Sequence, residues 1–117
     1  MNLNIGIVGA GGFAQFASKA FLKVTGIKIV ALTDINEAVA RQMAAAFNAA
    51  VYVDYETILK DKNIDLVYIA TPPFLHYQQS KMALLAGKHV ICEKPAALQA
   101  TEAEELRMLE HLFKCST

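Results

Sequence analysis

Two hydrophobic patterns alternate along the whole chain. Short, nearly continuous apolar runs are typical of buried strands, and each is followed by a segment in which apolar residues recur every three or four positions, as on one face of a helix. We predict strands at residues 3–8, 27–33, 51–53, 66–70 and 89–92. We predict helices at residues 13–24, 36–48, 55–59, 74–86 and 101–113.

Polar residues and glycines mark the expected ends of these helices. Asn36 is expected to open the second helix, and Asn48 to lie near its end. Gly87 is expected to stop the fourth helix in a left-handed conformation. Thr101 and Glu104 have the spacing of a capping box, which predicts that Thr101 opens the last helix.

The alternation of strands and helices predicts an α/β fold. Nearly continuous apolar strands indicate a parallel sheet that helices cover on both faces. Because crossovers between parallel strands are right-handed, we expect a doubly wound sheet of the Rossmann type with strand order 3-2-1-4-5.

The turn after the first strand has the pattern G-x-G-x-x-A that binds phosphate groups. Its first glycine allows a tight turn, its second removes a Cβ that would block a pyrophosphate, and its small last residue lets the helix pack on the strand. The helix that follows would aim free N–H groups at the phosphates. The residues expected to contact a dinucleotide here are Gly9, Gly11, Gly12, Phe13 and Ala14.

An acid lies where such a site needs one. Asp34 ends the second strand, twenty residues beyond Ala14, where its carboxylate could accept hydrogen bonds from a ribose diol. We include its neighbour Ile35 among the expected cofactor contacts. Because Asp34 would repel a 2′-phosphate, and the next basic residue, Arg41, is seven positions on, we expect NAD rather than NADP. A glycine-rich turn without a ligand is the alternative, and the strand, helix and acid together weigh against it.

Two further segments follow strands and should reach the same edge of the sheet. Thr71 and Pro72 follow the fourth strand as either a simple loop or a wall of the cleft, and His76 is either a surface histidine or a cleft residue. Lys94, beside Glu93, could form an exposed ion pair or could exchange protons with a substrate hydroxyl. The residues alone leave these alternatives open.

Composition and charge weigh against several classes of function. Eleven basic residues balance eleven acidic ones without a basic stripe, so we expect neither nucleic-acid nor membrane-surface binding. No apolar run approaches the ~20 residues of a membrane span, and the chain enters a strand at once, without the pattern of a secretory signal. The two cysteines form no disulfide framework, and we expect no metal site and a cytoplasmic location.

Taken together, the motifs resemble the glucose–fructose oxidoreductase and inositol dehydrogenase (Gfo/Idh/MocA) family over essentially the whole chain. The resemblance rests on the glycine turn, on Asp34, and on the segments at residues 70–76, 86–90 and 93–95. One departure is Pro73, where many members carry asparagine.

The resemblance implies a two-domain enzyme of which residues 1–117 are the dinucleotide-binding domain. A sixth strand and a C-terminal α+β substrate domain are missing from this chain, so we interpret it as a fragment. The implied reaction is NAD(P)-dependent hydride transfer on a sugar, an inositol or a related small molecule. Lys94 matches the family's active-site lysine, and Thr71, Pro72, His76 and Glu93 match positions that line the cofactor cleft.

We also expect a homo-oligomer formed through the C-terminal domain. The alternative to an enzyme is a module that binds NAD(H) without catalysis, such as a redox sensor, and a scaffold with an empty glycine turn is a third possibility. Lys94 favours the enzyme, because a pure binding module needs no group for proton transfer.

Overall fold

The computed structural model describes residues 3–9, 19, 23, 25–92 and 100–113. The strands are β1 (Leu3–Val8), β2 (Ile27–Thr33), β3 (Ala50–Val51), β4 (Leu66–Ile69) and β5 (His89–Cys92). The described helices are α1 (Glu37–Phe47), α2 (Tyr55–Lys60), α3 (Pro73–Leu85) and α4 (Ala100–Phe113). The helix predicted at residues 13–24 falls almost entirely outside the described residues.

The five strands form one parallel sheet in the order β3-β2-β1-β4-β5, which confirms the predicted doubly wound fold. The register aligns the strand ends. Val8 pairs with Thr33 on one side and with Ile69 on the other, and Ile69 pairs with Cys92. The last residues of these four strands therefore lie side by side at one edge of the sheet.

Apolar side chains cover both faces of the sheet. On β1, Ile5 and Ile7 belong to one buried cluster and Val8 to the other, as expected where successive side chains point to opposite faces. Helix α1 packs Met43 against the first face. Helices α2, α3 and α4 contribute apolar residues to the second face, among them Leu84. Burial on both faces is why the strands are apolar almost throughout.

The predicted helix ends of α1 and α3 are confirmed. Asn36 caps α1, because its side-chain oxygen accepts hydrogen bonds from the N–H groups of Ala38 and Val39. Asn48 follows α1 in the left-handed region with φ of 54°. Gly87 follows α3 with φ of +79°, a conformation that a glycine adopts without strain.

Most predicted boundaries differ from the structure by no more than one residue, and two assignments are wrong. The third strand is Ala50–Val51 rather than residues 51–53, because this edge strand pairs only with Ala31 and Leu32 before Val53 turns outward. Helix α4 already includes Ala100, so Thr101 lies within the helix and is not its N-cap. Alanine has the highest helix propensity, and it extends the helix past the expected cap.

A buried lysine holds the loop between α2 and β4. Lys88 is 6% exposed, and its ammonium group donates to the carbonyl oxygens of Asp61 (2.7 Å) and Ile64 (2.6 Å). Burial lowers the pKa of Lys88, while the charges of Asp61 and Asp65 act in the opposite direction. This lysine belongs to the segment 86–90 that carries the family resemblance, and its contacts here stabilise the fold.

The carboxylate of Asp61 should make stability depend on pH. It accepts hydrogen bonds from the Tyr52 hydroxyl and from the Asn63 N–H (2.8 Å), and these bonds hold the pKa of Asp61 below its ordinary value. A pKa lower in the folded than in the unfolded state means that the stabilisation is present above the unfolded value of about 3.9 and is lost as the pH falls through the folded one. We expect the free energy of unfolding, measured in urea between pH 7 and pH 3, to fall less steeply with acidification in Asp61→Asn than in the wild type.

The exposed Glu56→Gln substitution on α2 is the matched control, and it should leave this pH profile unchanged. Identical profiles for Asp61→Asn and the wild type would contradict the assignment.

Candidate functional site

A cavity of about 500 Å³ opens at the carboxyl edge of the sheet. It lies where the strand order reverses around β1, which is where doubly wound sheets bind their ligands. The base is formed by Val8, Gly9 and Thr33. One wall consists of Asp34, Ile35, Val53, Asp54 and Tyr55. The other consists of Ala70, Thr71, Pro72, Phe74, Leu75 and Gln79.

Only glycine fits at the first position of the turn after β1. Gly9 has φ of +91°, and a Cβ built on it would lie 2.8 Å from the carbonyl oxygen of Ala70. Its N–H donates to the carbonyl oxygen of Thr33 (2.9 Å), which fixes the path of the turn between β2 and β4. The other expected contacts of the turn, Gly11, Gly12, Phe13 and Ala14, lie outside the described residues and remain predictions.

The structure places the predicted acid in the cavity wall. Asp34 is partly exposed there, and its Oδ1 accepts a hydrogen bond from the N–H of Asn36 (2.8 Å). Asn36 in turn caps α1, so the residue that begins this helix also orients the acid. Ile35 extends from the same wall with its side chain fully exposed. Both side chains are accessible to a ligand in the cavity.

Thr71 and Pro72 line the opposite wall of the cavity, and their contact with a cofactor stays a prediction. The hydroxyl of Thr71 donates to Oε1 of Gln79 (2.5 Å). His76 lies 2.5 Å from the carbonyl oxygen of Thr71 through Nε2, and because a carbonyl can only accept, Nε2 carries the proton. At 1% exposure His76 is not a surface histidine, and it is not among the residues lining the cavity. His76 is buried behind this wall and holds the backbone of Thr71 through the hydrogen bond.

Glu93 and Lys94 lie outside the described residues, so their roles remain predictions. The structure does describe the residue before them. Cys92 ends β5 and pairs with Ile69, the last residue of β4. Cys92 therefore lies at the same edge of the sheet as Ile69, two residues before Thr71.

Gln79 and Tyr55 also line the cavity, although their role was not predicted from the sequence. The Tyr55 hydroxyl donates to the backbone carbonyl of Gln79 (2.6 Å), so Gln79 contacts both walls of the cavity. Burial raises the pKa of Tyr55, with the nearby Cys92 adding to the shift, so the phenol remains a donor at neutral pH. One signal was available: Gln79 follows Leu75 by four positions and so shares its helix face, where a polar residue among apolar ones is unexpected.

Among the described residues, no group of histidine, cysteine and acidic side chains could hold a metal ion. Within the same part of the chain, no helix is long and apolar enough to cross a membrane.

The sheet order, the glycine-requiring turn and the cavity at the strand ends define a nucleotide-binding α/β domain. Residues 3–112 match the family described as "Oxidoreductase family, NAD-binding Rossmann fold" (GFO_IDH_MocA). The chain belongs to this family.

Known proteins of several activities resemble the chain. It is 34% identical over 117 aligned positions to the D-xylose 1-dehydrogenase (NADP(+)) of Hypocrea jecorina, covering 89% of this chain and 30% of that protein. It is 33% identical over 103 positions to an inositol 2-dehydrogenase/D-chiro-inositol 3-dehydrogenase of Shouchella clausii, covering 86% of this chain and 30% of that enzyme.

A solved NAD-binding protein from Listeria innocua superposes with a TM-score of 0.92 at 28% identity, covering 99% of this chain and 34% of that one. The chain spans between 24% and 30% of the length of the curated relatives it matches first.

From the conformation of Gly9 we predict how much an alanine at this position destabilises the fold. Gly9→Ala should destabilise the fold through both its positive φ and the contact with Ala70, whereas Gly87→Ala has a similar φ but nothing within 4 Å of the new Cβ. We expect Gly87→Ala to cost about 1–2 kcal/mol in the free energy of unfolding, and Gly9→Ala to cost about 1–3 kcal/mol more. Urea unfolding followed by circular dichroism measures both, and equal losses would show that the contact with Ala70 does not constrain the turn.

Proposed function

We propose that the chain is the NAD(H)-binding part of a dehydrogenase that transfers a hydride to or from a carbon bearing oxygen in a sugar, an inositol or a related compound. The main support for this proposal is the cavity between Asp34, after β2, and Thr71, after β4, with Gly9 at its base. The names of the D-xylose and inositol dehydrogenases that resemble the chain support the substrate class.

The described residues fit the adenosine half of a dinucleotide. Gly9 leaves room where a Cβ would touch Ala70, and the turn it begins would receive the pyrophosphate. Asp34 offers a carboxylate acceptor to the ribose hydroxyls, and Ile35 and Pro72, on opposite walls, offer apolar surface to a base. The cavity volume is within the range of small-molecule sites.

The charges around Asp34 favour NAD over NADP. A 2′-phosphate beside Asp34 would bring two negative charges together. Arg41 is the next basic residue along the chain, and its guanidinium is paired with Glu37 (2.5 Å) one turn earlier on α1. Arg41 would have to leave Glu37 before it could bind a phosphate.

Lys94 is the residue to which we assign proton transfer. Bound NAD(H) would supply or accept the hydride, and the lysine, two residues beyond β5, would take up or return the proton of the substrate hydroxyl. The remaining wall of the substrate pocket would come from the second domain of the whole protein. The proposed partner is thus a small polyol or sugar, and the proposed assembly is a homo-oligomer built through that domain.

Asp34→Ala tests the cofactor preference. Removing the carboxylate should weaken NADH binding by about 1–3 kcal/mol, the scale of hydrogen bonds to a charged group, and should weaken NADPH binding much less. Titrations of the wild type and the variant with each reduced cofactor, followed by nicotinamide fluorescence, give all four affinities. Glu56→Gln, exposed on α2, is the control for loss of a negative charge.

Wild-type binding of NADPH as tight as that of NADH would contradict the preference. An unchanged ratio of the two affinities in Asp34→Ala would contradict the role of Asp34.

Lys94→Ala separates binding from catalysis. In the protein that carries the family's substrate domain, the variant should lose far more in kcat than in NADH affinity, because the lysine acts on the substrate proton. The 117-residue chain should bind NADH without turnover, since positioning a substrate accounts for about 7–11 kcal/mol of such a barrier. Steady-state kinetics and NADH titration measure the two effects. Full activity of Lys94→Ala would refute the role in proton transfer assigned to Lys94, and turnover by the 117-residue chain would refute an active site shared with a second domain.

A further inference from the structure

The two walls of the cavity are joined at Gln79. Its side-chain Oε1 accepts from the Thr71 hydroxyl on one wall (2.5 Å), and its backbone carbonyl accepts from the Tyr55 hydroxyl on the other (2.6 Å). We propose that the carboxamide NH₂ of Gln79 donates a hydrogen bond to a ring nitrogen of the bound purine, and so helps to select the base. This inference rests on the proposed binding of NAD(H).

The NH₂ group is the part of the side chain left for a ligand. A carboxamide offers one acceptor oxygen and two N–H donors. Thr71 engages the oxygen, and no residue in the described part of the chain accepts from the nitrogen. Because Gln79 lines the cavity, these donors are in reach of whatever occupies it.

The surroundings suit a flat heteroaromatic ring. Ile35, Val53 and Phe74 are 107%, 85% and 71% exposed, and all three line the same cavity. Such apolar side chains can cover the faces of a base but cannot distinguish one base from another. A purine carries acceptor nitrogens at its edge, and a carboxamide donor among apolar neighbours would recognise them.

The donor is held in place before a ligand arrives. Tyr55 is largely buried and stays protonated at neutral pH, so it continues to hold the backbone of Gln79. Thr71 is itself restrained, since His76 donates to its carbonyl oxygen. A preorganised donor loses little conformational freedom on binding and therefore contributes more to affinity.

The test measures the affinity of ADP-ribose, which contains the adenosine half without nicotinamide, by isothermal titration calorimetry. Gln79→Glu keeps an acceptor for Thr71 but replaces the NH₂ donor, and we expect affinity to fall about tenfold, as for one lost hydrogen bond. Gln79→Met, which is uncharged, should also weaken binding by about fivefold. Gln78→Glu adds the same charge at the exposed neighbouring position of α3 and should change affinity less than about twofold.

Thermal unfolding of each variant separates a lost ligand contact from a lost fold. Reduced affinity in both Gln79 variants, with Gln79→Glu unfolding like the wild type, supports the inference. Wild-type affinity in either folded Gln79 variant overturns it, as does an equal loss in Gln78→Glu and Gln79→Glu. If the wild type binds ADP-ribose and Asp34→Ala weakens it while Gln79→Glu does not, the inference fails and the proposed function stands. No binding of ADP-ribose to the wild type overturns both.

Discussion

The pairing of β1 with β2 and β4 is the constraint on which the site depends. Val8, Thr33 and Ile69 share one level of the sheet, so the residues that follow them must emerge side by side. Gly9 makes the next step possible, because its N–H bonds to Thr33 while its missing Cβ leaves room for Ala70. Segments more than twenty residues apart in sequence meet around one cavity for this backbone reason alone.

The opposite edge of the sheet is organised for stability. Asn4 and Asp65 exchange hydrogen bonds: the N–H of Asn4 donates to the Asp65 carboxylate (2.9 Å), and the N–H of Asp65 donates to the Asn4 carbonyl (2.8 Å). The Lys88 ammonium donates to the carbonyl oxygens of Asp61 and Ile64 in the adjoining loop. The backbone N–H of His89 donates to the backbone carbonyl of Asp65 (3.0 Å). These contacts fix the starts of β1, β4 and β5, and they leave the loops at the carboxyl edge available to bind a ligand.

The chemistry of the cavity is divided between its walls. Asp34 supplies negative charge on the side of α1, and Arg41, the next cation along the chain, is paired with Glu37. The wall after β4 supplies neutral polar groups, of which Gln79 contacts both Thr71 and Tyr55. A charged acceptor on one side and neutral donors on the other suit a ligand with a sugar diol and an aromatic base, which is the pattern proposed here for NAD(H).

The strand order was predicted by combining the alternation of strands and helices with the right-handed crossover rule. Local sequence determined the alternation itself, the cap at Asn36 and the left-handed glycine at residue 87. These features follow from hydrophobic periodicity and from the conformations that single residues prefer, which need no knowledge of distant neighbours. The glycine at position 9 was predicted for the same reason, as part of a short motif after a strand.

Tertiary structure alone decided where β3 stops, that His76 is buried against Thr71, and that Gln79 lies between Thr71 and Tyr55. The tyrosine and the glutamine are separated by 24 residues, and nothing in either local pattern indicates the other. Their contact exists because the parallel sheet brings α2 and α3 to the same face, where most buried polar groups find a partner.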